Sequence, residues 1–138
     1  MKATIIVCTR DRRASCLRTL ESLLSDPALL LQGDCEIVVV DQSPGAGTGE
    51  AIGGLPVRHL SSSTRGLSAA RNHGASVALG DLLLFTDDDC LVDAGWKDAW
   101  CRAFATHPGA GIGFGQVSCP PFDPARGYTA GFNVRAGT

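Results

Sequence analysis

Residues 82–90 read LLLFTDDDC, an unbroken apolar run followed at once by three aspartates. Leu82 to Thr86 is far below the ~20 residues that a membrane-spanning helix needs. It also lacks the polar alternation of a half-exposed strand, so it reads as a strand covered on both faces, as in a parallel sheet. Asp87, Asp88 and Asp89 then fall at the strand's carboxyl end, the edge where open parallel sheets bind ligands. Position, more than charge, marks this triplet as functional.

The neighbouring segments supply the rest of such a sheet. Ala3 to Cys8 and Glu36 to Val40 are further β-branched runs of the buried type, and Val57 to Leu60 is a brief third strand. Between the first two, Cys16, Leu17, Leu20, Leu23 and Leu24 recur at helical spacing. Asp11 is the expected cap of that helix and Asp26-Pro27 its stop. Leu29 to Leu31 packs against this unit. The glycine-rich stretch Gly45 to Gly54 makes a long connection containing one short helical turn. Ser68 is the expected cap of a helix running to Leu79, with Gly80 as a left-handed terminator and Ala70, Gly74, Val77 and Ala78 as a small inward face. A last helix carries Trp96, Trp100, Ala103 and Phe104 on one side, with Asp93 as its cap. Gly111 to Ser118 alternates as a strand, and Pro120, Pro121 and Pro124 break regular structure beyond it. Strands alternating with helices imply an α/β fold with a mostly parallel sheet and helices on both faces.

Composition narrows the function. With 138 residues, 44% of them hydrophobic, the chain forms one soluble globular domain without needing disulfides or metal for stability. Twelve basic against fourteen acidic residues leave a net charge of -2, with no basic stripe for nucleic acid. Cys8, Cys16, Cys35, Cys90, Cys101 and Cys119 include no C-x-x-C pair, which argues for reduced core thiols and against structural zinc. The opening MKATIIVCTRDRR reads as a strand rather than a signal peptide, because charges stand where a cleavage site should be. Gly-x-Ser-x-Gly is absent, and Glu50 occupies the position of the third glycine of a dinucleotide fingerprint.

Three polar sets converge on the carboxyl edge: Thr9, Arg10 and Asp11; Asp41, Gln42 and Ser43; and Asp87 to Asp89. Two carboxylates ~5 Å apart at an effective dielectric of ~20 repel by roughly 3 kcal/mol, so the triplet needs a counter-charge. A hard divalent cation such as Mg2+ or Mn2+ provides it and bridges carboxylates to a substrate phosphate. Arg65 and Arg71 flank a helix start whose free N–H groups favour anions, a fitting place for a diphosphate.

With those residues in view, the chain resembles the family 2 glycosyltransferases, whose catalytic domain has the GT-A, Rossmann-like fold. TIIVCTRDR (4–12) is similar to that family's first strand and nucleotide loop, EIVVVDQSPG (36–45) to its second strand and acidic turn, and RGLSAARNHGASVALGDLLLFTDDDC (65–90) to its central signature. The resemblance implies that Thr9 and Arg10 line the base pocket, Asp41 approaches base or ribose, and Arg71 faces the nucleotide or its diphosphate. Asp87 and Asp89 would form the Asp-x-Asp motif that holds Mn2+ or Mg2+. There the first aspartate contacts ribose or metal shell, and Asp88 is a further nucleotide-binding candidate.

It further implies a metal-dependent, inverting hexosyltransferase-like enzyme. Such an enzyme moves a sugar from a nucleotide-sugar donor, commonly a UDP-sugar, to a saccharide, lipid-linked or other hydroxyl acceptor. Two departures stand out. Gln42 replaces a second aspartate present in many relatives, which leaves the base open between UDP, GDP and dTDP. The catalytic base of the family lies in an acceptor half expected beyond residue 138, so residues 1–138 read as a truncated donor half; Asp123 is not taken as the base. The cytoplasm is the default location, with peripheral membrane association left open. A nucleotide-binding module without transfer activity is the alternative. A receiver-type phosphoacceptor domain is disfavoured, because the lysines are Lys2 and Lys97 alone.

Overall fold

A computed structural model describes residues 1–31 and 33–118, and the chain divides into two units, Met1–Thr106 and His107–Thr138. The first unit runs β1 (Ala3–Thr9), α1 (Arg13–Leu24), α2 (Pro27–Leu31), β2 (Cys35–Asp41), α3 (Gly47–Ile52), β3 (Arg58–Ser61), α4 (Leu67–Val77), β4 (Leu82–Asp87) and α5 (Trp96–Thr106). All four strands are parallel in the order β3-β2-β1-β4. The chain therefore lays β2 and β3 to one side of β1 and returns to place β4 on the other. This reversal opens a crevice between the loops after β1 and β4, the topological switch point of the sheet.

The buried strands bury alternate residues in opposite directions, as a pleated sheet requires. Ile5, Val7, Ile37, Val39, Leu82 and Leu84 pack with Cys16, Leu20 and Leu23 of α1, Leu29 of α2 and the partly buried Trp96, Trp100 and Phe104 of α5. Ile6, Val38 and Val40 meet Ala70 of α4 on the other face. Leu20 and Leu23 are fully buried, and each contributes about 1.5–3 kcal/mol, which holds α1 in place without a side-chain cap. β4 departs from the two-sided burial expected of it: Phe85 is exposed, as α4 covers β1 and β2 rather than β4.

Several local expectations are corrected. Asp11 does not cap α1; it takes a left-handed turn at φ 55°, which aspartate tolerates, and its N–H donates to Ser43 Oγ at 2.8 Å. Gly66, at φ 95°, holds the cap position of α4 in place of Ser68. α4 ends at Val77, with Ala78 extended, so Gly80 is not a left-handed terminator. Its role is close approach, because a Cβ there would lie 2.5 Å from the Ala3 carbonyl carbon. Glu36 Oε1 secures this turn by accepting from Leu79 N–H at 2.6 Å and from Thr4 Oγ1 at 2.7 Å. Asp26 Oδ1 accepts from Ala28 N–H at 3.0 Å and so starts α2, whose first residue is Pro27. Asp93 contributes its backbone carbonyl, which accepts from Trp96 N–H at 3.1 Å.

In the second unit, residues 111–118 form no strand. Gly111, Gly113 and Gly115 weaken extended pairing. Cys119, Pro120, Pro121, Asp123 and Pro124 lie outside the described residues. The five described cysteines are free thiols, of which Cys16 alone is fully buried and the others are half-buried.

Candidate functional site at the carboxyl edge of the sheet

Parallel register brings the functional segments level with one another. Thr9 pairs with Asp41, Asp41 with Ser61, and Cys8 with Asp87. The loops that leave these residues accordingly share one edge, and short hydrogen bonds lock them together. Gln42 N–H donates to Thr9 O at 2.9 Å, and Ser62 N–H donates to Asp41 O at 2.8 Å.

The three aspartates do not act as a block. β4 ends at Asp87 and the chain turns at Asp88 and Asp89, which leaves Asp87 and Asp89 exposed and Asp88 buried between them. Asp88 is 4% exposed. Its Oδ2 accepts from Thr9 Oγ1 at 2.7 Å, and its Oδ1 meets Arg12 Nη1 at 3.0 Å. Arg12 also donates through Nη2 to Asp89 Oδ2 at 2.7 Å, and Arg71 Nη2 donates to Asp87 Oδ1 at 2.9 Å. Hydrogen bonding to Asp89, then the nearby charge of Asp88, raises the Arg12 guanidinium above its ordinary pKa and keeps it charged. Two arginines thus answer part of the repulsion that the triplet creates.

A carboxylate oxygen of Asp87, one of Asp89 and the Cys90 sulfur all lie within 4.8 Å of one another. Two half-exposed carboxylates suit Mg2+ or Mn2+, which fill their remaining positions with water and phosphate oxygens. Burial, and then the charge of Asp89, pushes the Cys90 thiol up, which disfavours it as a thiolate ligand.

Beside this group lies a cleft of about 320 Å³ lined by Arg10, Gln42, Ser43, Pro44 and residues 61–65. Gln42 Nε2 donates to Thr64 O at 2.8 Å and to Gly66 O at 3.2 Å. Two carbonyls facing this amide fix its orientation, so Gln42 ties the end of β2 to the loop before α4. Asp41, 2% exposed, supports the cleft from below. It accepts from Ser43 N–H at 2.9 Å and contacts His59 Nε2 at 3.2 Å.

Of the residues singled out by sequence, Arg10 lines the cleft, and Asp87 and Asp89 converge with Arg71 on Asp87. Thr9, Asp41 and Asp88 lie beneath the surface with their polar atoms committed to other side chains or backbone. Arg12 and His59 were missed. Arg10, Arg12 and Arg13 are indistinguishable as sequence, and nothing local joins His59 to Asp41.

An open parallel sheet with a carboxylate pair at its switch point fits the GT-A class of α/β domains, to which the structural neighbours belong. Residues 4–127 match the model of glycosyl transferase family 2, and the chain belongs to that family. It is 28% identical over 116 residues to the glucosyl-dolichyl phosphate glucuronosyltransferase of Haloferax volcanii, covering 80% of this chain and 36% of that enzyme. Among solved structures, S. aureus TarS 1-349 in complex with UDP superposes with a TM-score of 0.64 at 26% identity, over 78% of this chain and 33% of that fragment. The mannosyltransferase PcManGT of Pyrobaculum calidifontis, in complex with GDP-Man and Mn2+, gives 0.59 at 25% identity, over 67% of this chain and 29% of that one. The chain thus spans about a third of the matched chains, and 20% of a longer TarS structure. No helix among the described residues is long and apolar enough to cross a membrane.

Proposed function

We propose that this chain is the donor-binding half of a divalent-metal-dependent, inverting glycosyltransferase that carries a sugar from a nucleotide sugar, a UDP-sugar first, to an acceptor hydroxyl. The observation that carries the reading is the convergence of Asp87 and Asp89 at the sheet's switch point, beside a cleft lined by Arg10 and Gln42. TarS 1-349 is solved in complex with UDP and PcManGT in complex with GDP-Man and Mn2+, which supports the donor class and the metal. The Haloferax volcanii relative is a glucosyl-dolichyl phosphate glucuronosyltransferase, which supports a lipid-linked acceptor.

In this reading Arg10, Gln42, Ser43 and Thr64 hold base and ribose in the cleft, and Arg71 binds the diphosphate. Thr9, Asp41 and Asp88 keep the edge in shape. Asp87 and Asp89 would hold the cation, which supplies Lewis-acid stabilisation of the departing diphosphate when bound. We assign the catalytic base to none of the described residues.

Calorimetric titration of UDP, GDP and dTDP, with and without Mn2+, tests the reading. Binding that requires Mn2+ and weakens at least tenfold in Asp89→Ala is expected, a loss of about 1.4 kcal/mol or more. Equal binding with and without metal would overturn the role of the carboxylate pair. No binding of any of the three by the folded chain would overturn the donor site itself.

A further inference from the structure

We propose that Arg12 is the built-in counter-cation of the carboxylate pair: it occupies Asp89 before metal arrives, yields it to the cation, and turns to the diphosphate of the donor. The inference rests on the reading of Asp87 and Asp89 as the metal-holding pair.

Three observations support it. Arg12 bridges two acids of opposite accessibility, with Nη1 at 3.0 Å from Asp88 Oδ1 and Nη2 at 2.7 Å from Asp89 Oδ2. The Asp88 side chain is 6% exposed and that of Asp89 50%, so one end of the guanidinium is anchored and the other is in competition with solvent. The anchor is itself fixed, because Asp88 also accepts from Thr9 Oγ1. The second observation is that Arg12 holds Oδ2 of Asp89, one of the two oxygens this residue has for a cation, while Oδ1 lies 3.9 Å from Cys90 Sγ. The third is position: Arg12 lies on the loop after β1 and reaches Asp88 and Asp89 in the turn after β4, so it spans the two sides of the switch-point crevice.

A cation that takes Asp89 Oδ2 would displace the Arg12–Asp89 bond and leave the guanidinium facing a crevice of raised positive charge. An anionic diphosphate relieves that juxtaposition by accepting hydrogen bonds from the same guanidinium. Metal and nucleoside diphosphate then bind with positive coupling, each raising the affinity of the other by the same factor. Arg12 acts as a positioning residue before loading and as a ligand contact after it.

The test uses the full chain, with Mn2+ alone followed by electron paramagnetic resonance and UDP followed by calorimetry at saturating Mn2+. Arg12→Gln should bind Mn2+ alone about tenfold more tightly and UDP in the presence of Mn2+ about tenfold more weakly, within the usual range of coupling between sites. Arg13→Gln removes the same charge one residue further on and should leave both affinities near wild type, which separates displacement from a general change in field. Arg12→Lys keeps the charge but loses the planar fork that places one nitrogen on each carboxylate, and should fall between wild type and Arg12→Gln; it carries the test if Arg12→Gln does not fold. Equal or weaker Mn2+ binding by the Arg12 variants, or tightening of equal size in Arg13→Gln, would overturn the inference. Tightened Mn2+ with unchanged UDP affinity would overturn the transfer of Arg12 to the diphosphate. Failure of wild type and all variants to bind Mn2+ would instead overturn the metal reading beneath it.

Discussion

Thr9 Oγ1 donates a 2.7 Å hydrogen bond to Asp88 Oδ2 across 79 residues of sequence, joining the end of β1 to the turn after β4 inside the protein. The contact closes the floor of the switch-point crevice and determines which way the acidic triplet divides. A hydrogen bond to a charged, buried acceptor contributes about 1.5–3 kcal/mol. Thr9→Val should therefore lower stability by about 2 kcal/mol, and Thr9→Ser should restore most of it. Urea denaturation of both variants checks this; a neutral Thr9→Val would show that Arg12 alone satisfies Asp88.

Two glycines are predicted to resist alanine for reasons of space. A Cβ on Gly74 would lie 2.6 Å from Ile6 Cγ2 and 3.2 Å from Val40 Cγ2, and one on Gly80 2.5 Å and 2.6 Å from backbone atoms of Ala3 and Thr4. Alanine gains about 1 kcal/mol of helix propensity at Gly74 but overpacking costs about 1–3 kcal/mol, for a net loss of about 1 kcal/mol. Gly80→Ala confronts backbone that cannot rotate away and should cost about 3 kcal/mol. Thermal unfolding should rank wild type, Gly74→Ala and Gly80→Ala in that order.

Thr19 offers a gain. Its hydroxyl is buried on α1 and has no hydrogen-bond partner among the described residues. Thr19→Val replaces the unpaired hydroxyl with a methyl group at little cost in volume or helix propensity, and should stabilise the fold by about 1 kcal/mol. A lower urea midpoint in the variant would show that the hydroxyl is satisfied after all.

Lys97 makes a pH-dependent tie between α5 and the segment before β2. Nζ lies 2.8 Å from Asp98 Oδ1 and 3.2 Å from Asp34 Oδ1, and the side chain is 2% exposed. Burial alone would lower its pKa, but the hydrogen bonds and charges of Asp98 and Asp34 outweigh it and carry it from 10.5 to about 12. Its contribution, about 2 kcal/mol by proton linkage, is complete below the unfolded value and is lost as pH rises through about 12. Between pH 10.5 and 12 the wild-type urea midpoint should fall more steeply than that of Lys97→Met. Parallel profiles would contradict the tie.

Much of this architecture is legible in sequence because buried parallel strands write continuous apolar runs, and Leu82 to Thr86 placed the acids at the correct edge. The inward turn of Asp88, between two exposed neighbours, was not legible there. What local reading lost was tertiary in origin. Gly66 displaced Ser68 at the start of α4, because the chain there needs a positive φ and the Gly66 carbonyl is held by Gln42. Gly80 proved to be a spacer against Ala3 rather than a helix terminator. Arg12 gained its place from the inward turn of Asp88, which no spacing within the first loop reveals.

Every step proposed for the donor site depends on Asp87 and Asp89 holding a divalent cation at the switch point of the sheet. Crystals grown with UDP and Mn2+ and measured at the manganese absorption edge would locate that ion. An anomalous peak is expected between those two carboxylates, in contact with the diphosphate, and it should disappear in Asp89→Ala. A nucleotide bound with no peak there, or a peak unchanged in Asp89→Ala, would show that the carboxylate pair does not hold the metal.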